Sequence, residues 1–190
     1  MRDGGQEEGH EEHIATPRLA MRPIVDADAS VVGALAANPA IAPNLCATIP
    51  NEAAHTLVIV ERRSGRLIGA ASYGATGLGS GVEVNLWIGE PFWDRGYATE
   101  AAQALIDRAF ADAATTVLWC ANRVTNPRAR RVIEKCGFQF RGNGMVRVPA
   151  RGAFPIERFA LDRRNWTSLK AWGAARPRGD SGDAPRETAA

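Results

Sequence analysis

No stretch of this 190-residue chain approaches the ~18 consecutive apolar residues of a membrane-spanning helix. Met1-Arg2-Asp3-Gly4-Gly5 lacks the apolar segment of a secretory leader. Cysteine is scarce: Cys46, Cys120 and Cys136 are odd in number, lie in apolar surroundings and form no Cys-x-x-Cys pair. They read as buried free thiols of a reducing compartment, so the expected location is cytoplasmic. No internal repeat is visible. His10 and His13 lie three apart among acidic residues, but such a pair in a polar tail is a weak match to a metal site, and no metal is expected.

What is present describes one domain with two tails. The length suffices for a single well-buried core, and the 45% hydrophobic content is that of a soluble globular chain. Residues 1–15 carry a net charge of −4 and residues 173–190 a net charge of zero. With a formal total of +2, the domain at 16–172 holds +6. That excess suits an anionic ligand or a nucleic-acid surface. Both tails lack apolar periodicity and are expected to be disordered.

Within the domain, strands and helices interleave. Leu19 to Ile24 alternates as a strand, and a helix runs from Asp26, its cap, to about Ala36. Asn38 to Asn51 contains Pro39, Pro43 and Pro50 and reads as loop. Leu57–Glu61 and Leu67–Tyr73 flank Ser64-Gly65 as a hairpin. Gly77 to Gly81 is a flexible turn before a strand at 82–88. Thr116–Ala121 is a buried strand. Asn126-Pro127 then supplies a helix cap and a first-turn proline, and Gly137 stops that helix. Short strands near 138–141 and 156–161 follow. The pattern implies an α/β (α+β) fold, a mixed sheet with helices on both faces.

The most informative segment is Trp93 to Phe110. The strand with Val82, Val84, Leu86 and Ile88 runs into Trp93-Asp94-Arg95-Gly96-Tyr97-Ala98-Thr99, and a helix begins at once. Its apolar residues, from Ala98 through Leu105 and Ile106 to Ala113, fall on one face. A glycine turn feeding a helix N-terminus leaves backbone N–H groups pointing outward at the positive end of the helix dipole, which suits a phosphate or pyrophosphate. Gly96, without a side chain, lets such a ligand approach the backbone. The same geometry also serves as an ordinary strand-to-helix connection.

Arg95-Gly96-Tyr97-Ala98-Thr99-Glu100-Ala101 resembles the acetyl-CoA pyrophosphate loop of the GNAT N-acetyltransferase superfamily, and among its branches the RimJ/RimL-type enzymes that acetylate ribosomal-protein N-termini. Thr16 to Pro23 resembles that family's opening strand. Asn126 through Phe138 resembles its second cofactor-contacting segment, and Phe159-Ala160-Leu161 followed by Trp166 its closing strand. The resemblance spans about residues 16–166. It implies a mostly antiparallel sheet whose central strands, here 82–88 and 116–121, splay apart to admit acetyl-CoA. It also implies that backbone groups around Trp87 and Ile88 pair with the pantetheine arm, as free strand groups can. The amides of Arg95, Gly96, Tyr97, Ala98 and Thr99 would hold the pyrophosphate. Asn126 matches a cofactor-reaching position, and equally reads as an N-cap. Arg131 aligns with a basic position and is the phosphate-contact candidate among Arg128, Arg130, Arg131 and Lys135, which otherwise form a solvated face. No aromatics interleave with these arginines, so nucleic acid is not the expected partner.

The chemistry implied is attack of a primary amine on an acetyl thioester. An α-amine, with pKa ~7.7–8.0, is partly neutral without help, whereas a lysine amine at ~10.4 needs a base far more. Glu83, on the strand lining the gap and on the face opposite Val82 and Val84, is the candidate base. Two departures stand out. Positions where relatives often carry a proton-donating serine or tyrosine are Ala129 and Ile133, and where they tend to have glycine then tyrosine this chain has Asn85-Leu86. A thiol of pKa ~8.5 still leaves as thiolate near neutral pH at a cost of about 1–2 kcal/mol. The short, proline-broken segment 38–55 leaves the acceptor groove open or completed by a second subunit, a possible homodimer. The expected activity is acetylation of a protein or peptide N-terminal α-amine. The alternatives are a small-molecule amine acetyltransferase and a non-catalytic acyl-CoA-binding module.

Overall fold

A computed structural model describes residues 13–45, 54–75, 81–148 and 152–175. Strands β1 (Ile14–Ala15), β2 (Leu19–Pro23), β3 (Ala54–Glu61), β4 (Arg66–Ala75), β5 (Val82–Ile88), β6 (Val117–Arg123), β7 (Gln139–Val148) and β8 (Gly152–Asp162) form one sheet. Its order is β1-β2-β3-β4-β5-β6-β8-β7. Every pairing is antiparallel except β5 with β6, which is parallel. Helix α1 (Ala29–Ala36) lies on one face of this sheet, and α2 (Tyr97–Ala109), α3 (Pro127–Lys135) and α4 (Arg163–Ala175) lie on the other. The mixed, mostly antiparallel sheet with helices on both faces agrees with the expected fold.

The main core sits between α2 and the sheet. Val84 and Ile88 of β5 and Leu57 and Ile59 of β3 meet Ala101, Leu105 and Ile106 of α2. Phe110 and Phe159 are among the largest fully buried side chains. The apolar stripe of α2 was expected to reach Ala113, but the helix ends at Ala109. One local bond and three from a distant arginine take over beyond it. The Asp112 carboxylate accepts from the Ala114 N–H at 2.9 Å, and Arg163 donates to the carbonyls of Phe110, Asp112 and Thr115. Those last carbonyls thus find partners without another helical turn.

Several boundaries shift for identifiable reasons. Ile14 and Ala15, assigned to the N-terminal tail, pair with Met21 and Ala20 and begin the sheet. Helix α4 runs past 172 to Ala175, so both limits of the 16–172 domain move outward. Residues 1–12 and 176–190, and with them the expected disorder of the tails, lie outside the described residues, as do the turn at 76–80 and Cys46. The helix at 26–36 opens as a 3-10 turn at Asp26–Asp28. Asp28, not Asp26, supplies the capping carboxylate, accepting from the Val25 N–H at 3.0 Å. It also binds both terminal nitrogens of Arg22, at 2.7 and 2.8 Å. The Arg22 hydrogen bonds bring the Asp28 carboxyl down to about 2.

Candidate active site

Strands β5 and β6 pair at only two positions, Val82 with Leu118 and Glu83 with Trp119. Beyond them the strands diverge, and the gap widens toward Ile88 and Arg123. A cavity of about 810 Å³ occupies it. The pleat decides what each residue offers. A Cβ on Gly69 would lie 2.1 Å from the Trp87 carbonyl oxygen, so the Trp87 backbone is turned to β4. Leu86 and Ile88 therefore direct their backbone groups into the gap. The Ile88 carbonyl there accepts from Trp93 Nε1 at 2.6 Å. Of Trp87 and Ile88, only Ile88 turns its backbone groups into the gap; the Trp87 side chain lies on the other face of β5, and Leu86 is the second residue whose backbone faces the gap.

The gap opens onto the N-terminus of α2. Asp94 and Gly96 both adopt left-handed conformations, with φ of 59° and 78°. The latter suits glycine, which carries no Cβ penalty there. Gly96 occupies the N-cap and no side chain caps the helix. The amides of Tyr97, Ala98 and Thr99 in the first turn consequently have no intrahelical acceptor. Gly96, Tyr97, Ala98 and Thr99 all line the cavity. Arg95 does not join them: its carbonyl accepts from Arg18 Nη1 at 2.9 Å, and its guanidinium lies over the Phe92 ring.

This turn is clamped from beneath. Arg18 pairs with Glu100 at 2.6 Å and lies over the Tyr97 ring. The Thr16 hydroxyl donates to the same carboxylate at 2.5 Å. Burial would raise the Glu100 carboxyl, but the hydrogen bonds from Thr16 and Arg18 outweigh it and hold it below its ordinary value. The Tyr97 hydroxyl donates to Glu61, which raises the tyrosine above its usual range. The Tyr97 side chain is thus committed to the core, leaving only its amide to a ligand.

Helix α3 forms the opposite wall. Asn126 caps it, accepting from the Ala129 N–H at 3.1 Å, and also lines the cavity. Asn122 of β6, buried behind it, donates to the Asn126 carbonyl and to Glu157, each at 3.2 Å. Glu157 in turn accepts from Arg130 at 2.6 Å. Arg131 is exposed and lines the cavity together with Lys135, Ala129 and Ile133. Arg128 reaches across to Asp94 at 2.7 Å and lies over the Trp93 ring, tying α3 to the turn before α2.

Glu83 sits where β5 and β6 are still paired. It is 5% exposed, accepts from Asn85 Nδ2 at 3.2 Å, and shares a face of β5 with Asn85 and Trp87. Those two line the cavity, whereas Glu83 lies just behind them. Cys120 also lines it; burial, and then the Glu83 charge, push its thiol well above the ordinary value. Burial likewise raises Cys136 to about 11. Both are free. No cluster of metal-ligating side chains occurs among the described residues, and no helix among them is long and apolar enough to cross a membrane.

The splayed strand pair and the uncapped helix N-terminus both lie within the range that a family model matches. The acetyltransferase (GNAT) domain family matches residues 18–139, more than half of the chain. The chain belongs to the GNAT acetyltransferase family. As a member it is an N-acetyltransferase, of a family that uses acetyl-CoA. No curated protein sequence matches it. Solved structures share its fold at low identity. Mycobacterium smegmatis RimJ in complex with CoA-disulfide is 18% identical, with a TM-score of 0.66 over 82% of this chain and 89% of that one. Spermidine N-acetyltransferase from Vibrio cholerae, in complex with CoA and spermine, is 16% identical with a TM-score of 0.66, covering 80% and 99%. The aminoglycoside acetyltransferase AAC(6')-Ib, in complex with coenzyme A, is 19% identical with a TM-score of 0.65, covering 80% and 99%.

Sequence reasoning about this acetyltransferase missed two supports. The Asn122–Glu157–Arg130 chain joins positions distant in sequence, brought together by the register of β6 on β8, where Asn122 faces Glu157. Arg18 likewise reaches the α2 turn only through the fold. Neither pairing leaves a local signal.

Proposed function

We propose that this GNAT protein binds acetyl-CoA in the β5–β6 gap and transfers its acetyl group to the α-amine of a protein or peptide N-terminus. The observation that carries the reading is the continuity of the gap with the first turn of α2. A cavity of about 810 Å³ is of the size of a cofactor site. Its backbone-lined half, at Leu86 and Ile88, suits the amides of the pantetheine arm. The uncapped amides of Gly96, Tyr97, Ala98 and Thr99 suit the pyrophosphate. Arg131, with Lys135 nearby, supplies positive charge for the remaining phosphate, and Asn126 serves both as cap and as a wall of the site.

The acceptor nitrogen attacks the thioester carbonyl. It must lose a proton, for which Glu83 is the proposed acceptor, reached through a water beside Asn85. The sulfur leaves as thiolate, since Ala129 and Ile133 carry no proton to give. Transfer is direct rather than through Cys120, because a thiol held protonated by burial is a poor nucleophile. An α-amine fits this site better than a lysine amine, being partly neutral at pH 7. The experiment is calorimetry with acetyl-CoA. The wild type should bind, and Gly96→Val should lose at least about tenfold in affinity. A β-branched residue is strained at the left-handed φ, and its methyls would crowd the exposed amides. Equal affinity in the variant would place the pyrophosphate elsewhere.

A further inference from the structure

Three buried side-chain nitrogens lack a hydrogen-bond acceptor among the described residues: Trp119 Nε1, Arg123 Nε and Arg158 Nε. All three belong to one face of the sheet. Trp119 is the register partner of Glu83, and Ala121 is that of Arg158. Opposed residues share a face and alternate residues return to it, so Trp119, Ala121, Arg123 and Arg158 stand on the side of Glu83, Asn85 and Trp87.

Trp119 sits at one end of this row, its ring against Gly81. The two arginines are diagonal neighbours across β6 and β8, because Arg123 pairs with Ile156, two residues before Arg158. Ile156 between them is fully buried. The Arg158 guanidinium lies over Gly144 of β7, where an added Cβ would come within 2.9 Å of Nε and 3.1 Å of Nη2. Glycine at 144 leaves the room that this guanidinium fills. Arg123 is held by the Pro43 carbonyl at 3.0 Å and by the Phe154 ring, 4.0 Å from its centroid. Both arginines are half-buried. Glu157, next to Arg158 in sequence, points to the opposite face, where Asn122 and Arg130 engage it.

Taking part of a guanidinium out of water without an acceptor is costly. A carboxylate recovers that cost best, since its two oxygens match the planar fork of an arginine. The pair stands one step outside the cleft. Ala121 lines the cavity, with Arg123 beside it on its own face and Arg158 across the ladder. From Asn85 on β5 to Arg158 on β8 is two strand intervals, about 10 Å or more at ~4.8 Å each. An extended chain covers that span in about three residues.

Building on the acetyltransfer reading above, we propose that Arg123 and Arg158 receive a carboxylate side chain at the second to fourth residue of the acceptor peptide. The acceptor is then an acidic N-terminal segment, its α-amine beside Asn85 and its chain running over β6 and β8.

The test measures CoA release by thiol detection, using the full chain, acetyl-CoA and two lysine-free, C-terminally amidated peptides. They are identical except that residue 3 is glutamate in one and glutamine in the other. The kcat/KM should be about tenfold or more higher for the glutamate peptide, carried by KM, and the ratio should shrink as salt is raised. Arg158→Ala should bring the ratio near one, chiefly by raising KM for the glutamate peptide, whereas Arg158→Lys should retain part of it. Gly144→Ala keeps the arginine but displaces its guanidinium; it should reduce the ratio too, and serves where Arg158→Ala fails to fold. Equal kcat/KM for the two peptides in the wild type, or equal losses on both in Arg158→Ala, would overturn the proposal and leave the acetyltransferase reading intact. Acetyl-CoA binding without CoA release from either peptide would overturn both.

Discussion

Glu83 carries the most consequence of any single side chain, because its placement allows two different mechanisms. It is a carboxylate on the strand that floors the cleft, yet it sits one step behind the lining, hydrogen-bonded to Asn85. If it takes the proton from the acceptor ammonium, Glu83→Gln should lower the rate by roughly 10²–10⁴-fold with acetyl-CoA affinity little changed. The loss should be largest below the amine's own pKa of ~7.7–8.0 and shrink above it, as the neutral amine becomes abundant. Parallel pH profiles of similar height would instead assign catalysis to positioning alone. Cys120 supplies the complementary test. Its thiol is kept protonated by burial, so Cys120→Ala should retain activity within a few-fold, and intact-mass analysis after mixing with acetyl-CoA should find no acetylated protein. An acetyl-enzyme in the wild type that vanishes in this variant would contradict direct transfer.

Among elements, α2 was the most legible in sequence and β7 the least. The strand at Val82–Ile88, the glycine turn and the one-sided apolar helix were all visible as local patterns. The Asn126-Pro127 start of α3 was visible too, and the Asn126 cap is formed. By contrast, β7 was anticipated only at 138–141 but runs from Gln139 to Val148. It is an edge strand, largely exposed, with Gly142 and Gly144 in place of alternating apolar residues, so its pairing with β8 decides it rather than its own composition. Helix α4 was missed for a similar reason: its apolar Trp166 packs on Phe110, a contact made only across the fold. The first turn before α1 shows how charge fixes an element. The Asp28 carboxyl, at about 2 in the folded state because of Arg22, lies below its unfolded value of ~3.9. A depressed folded-state value contributes stability above pH ~4 that is lost as pH falls toward 2. Asp28→Asn should therefore lower the melting temperature at pH 7, with the difference from wild type closing between about pH 4 and pH 2. A difference that persisted at pH 2 would place the effect in packing rather than in the ion pair.

At the scale of the whole molecule, the order of strands and helices was enough to expect a mixed sheet with helices on both faces, and the family resemblance implied its splayed centre. The site was legible in part. The amides of 96–99, Ile88, Asn126 and Arg131 come together around one cleft, whereas Arg95 points away and Trp87 contributes a side chain in place of its backbone. Those two distinctions depend on pleat and on helix-cap geometry, which a string of residues does not carry. What the assembled molecule then offers is an uncapped helix N-terminus and a strand edge facing a single cleft, the arrangement on which the proposed direct acetyl transfer rests. The most direct measurement of that claim uses a peptide with a free N-terminus and one internal lysine, alongside the same peptide with its N-terminus blocked. Incubated with the protein and acetyl-CoA and sequenced by tandem mass spectrometry, the free peptide should gain one acetyl group on its α-nitrogen, with stoichiometric release of CoA. The blocked peptide should gain none at pH 7. Acetylation of the lysine in both peptides at similar rates, or no CoA release from either, would contradict the account.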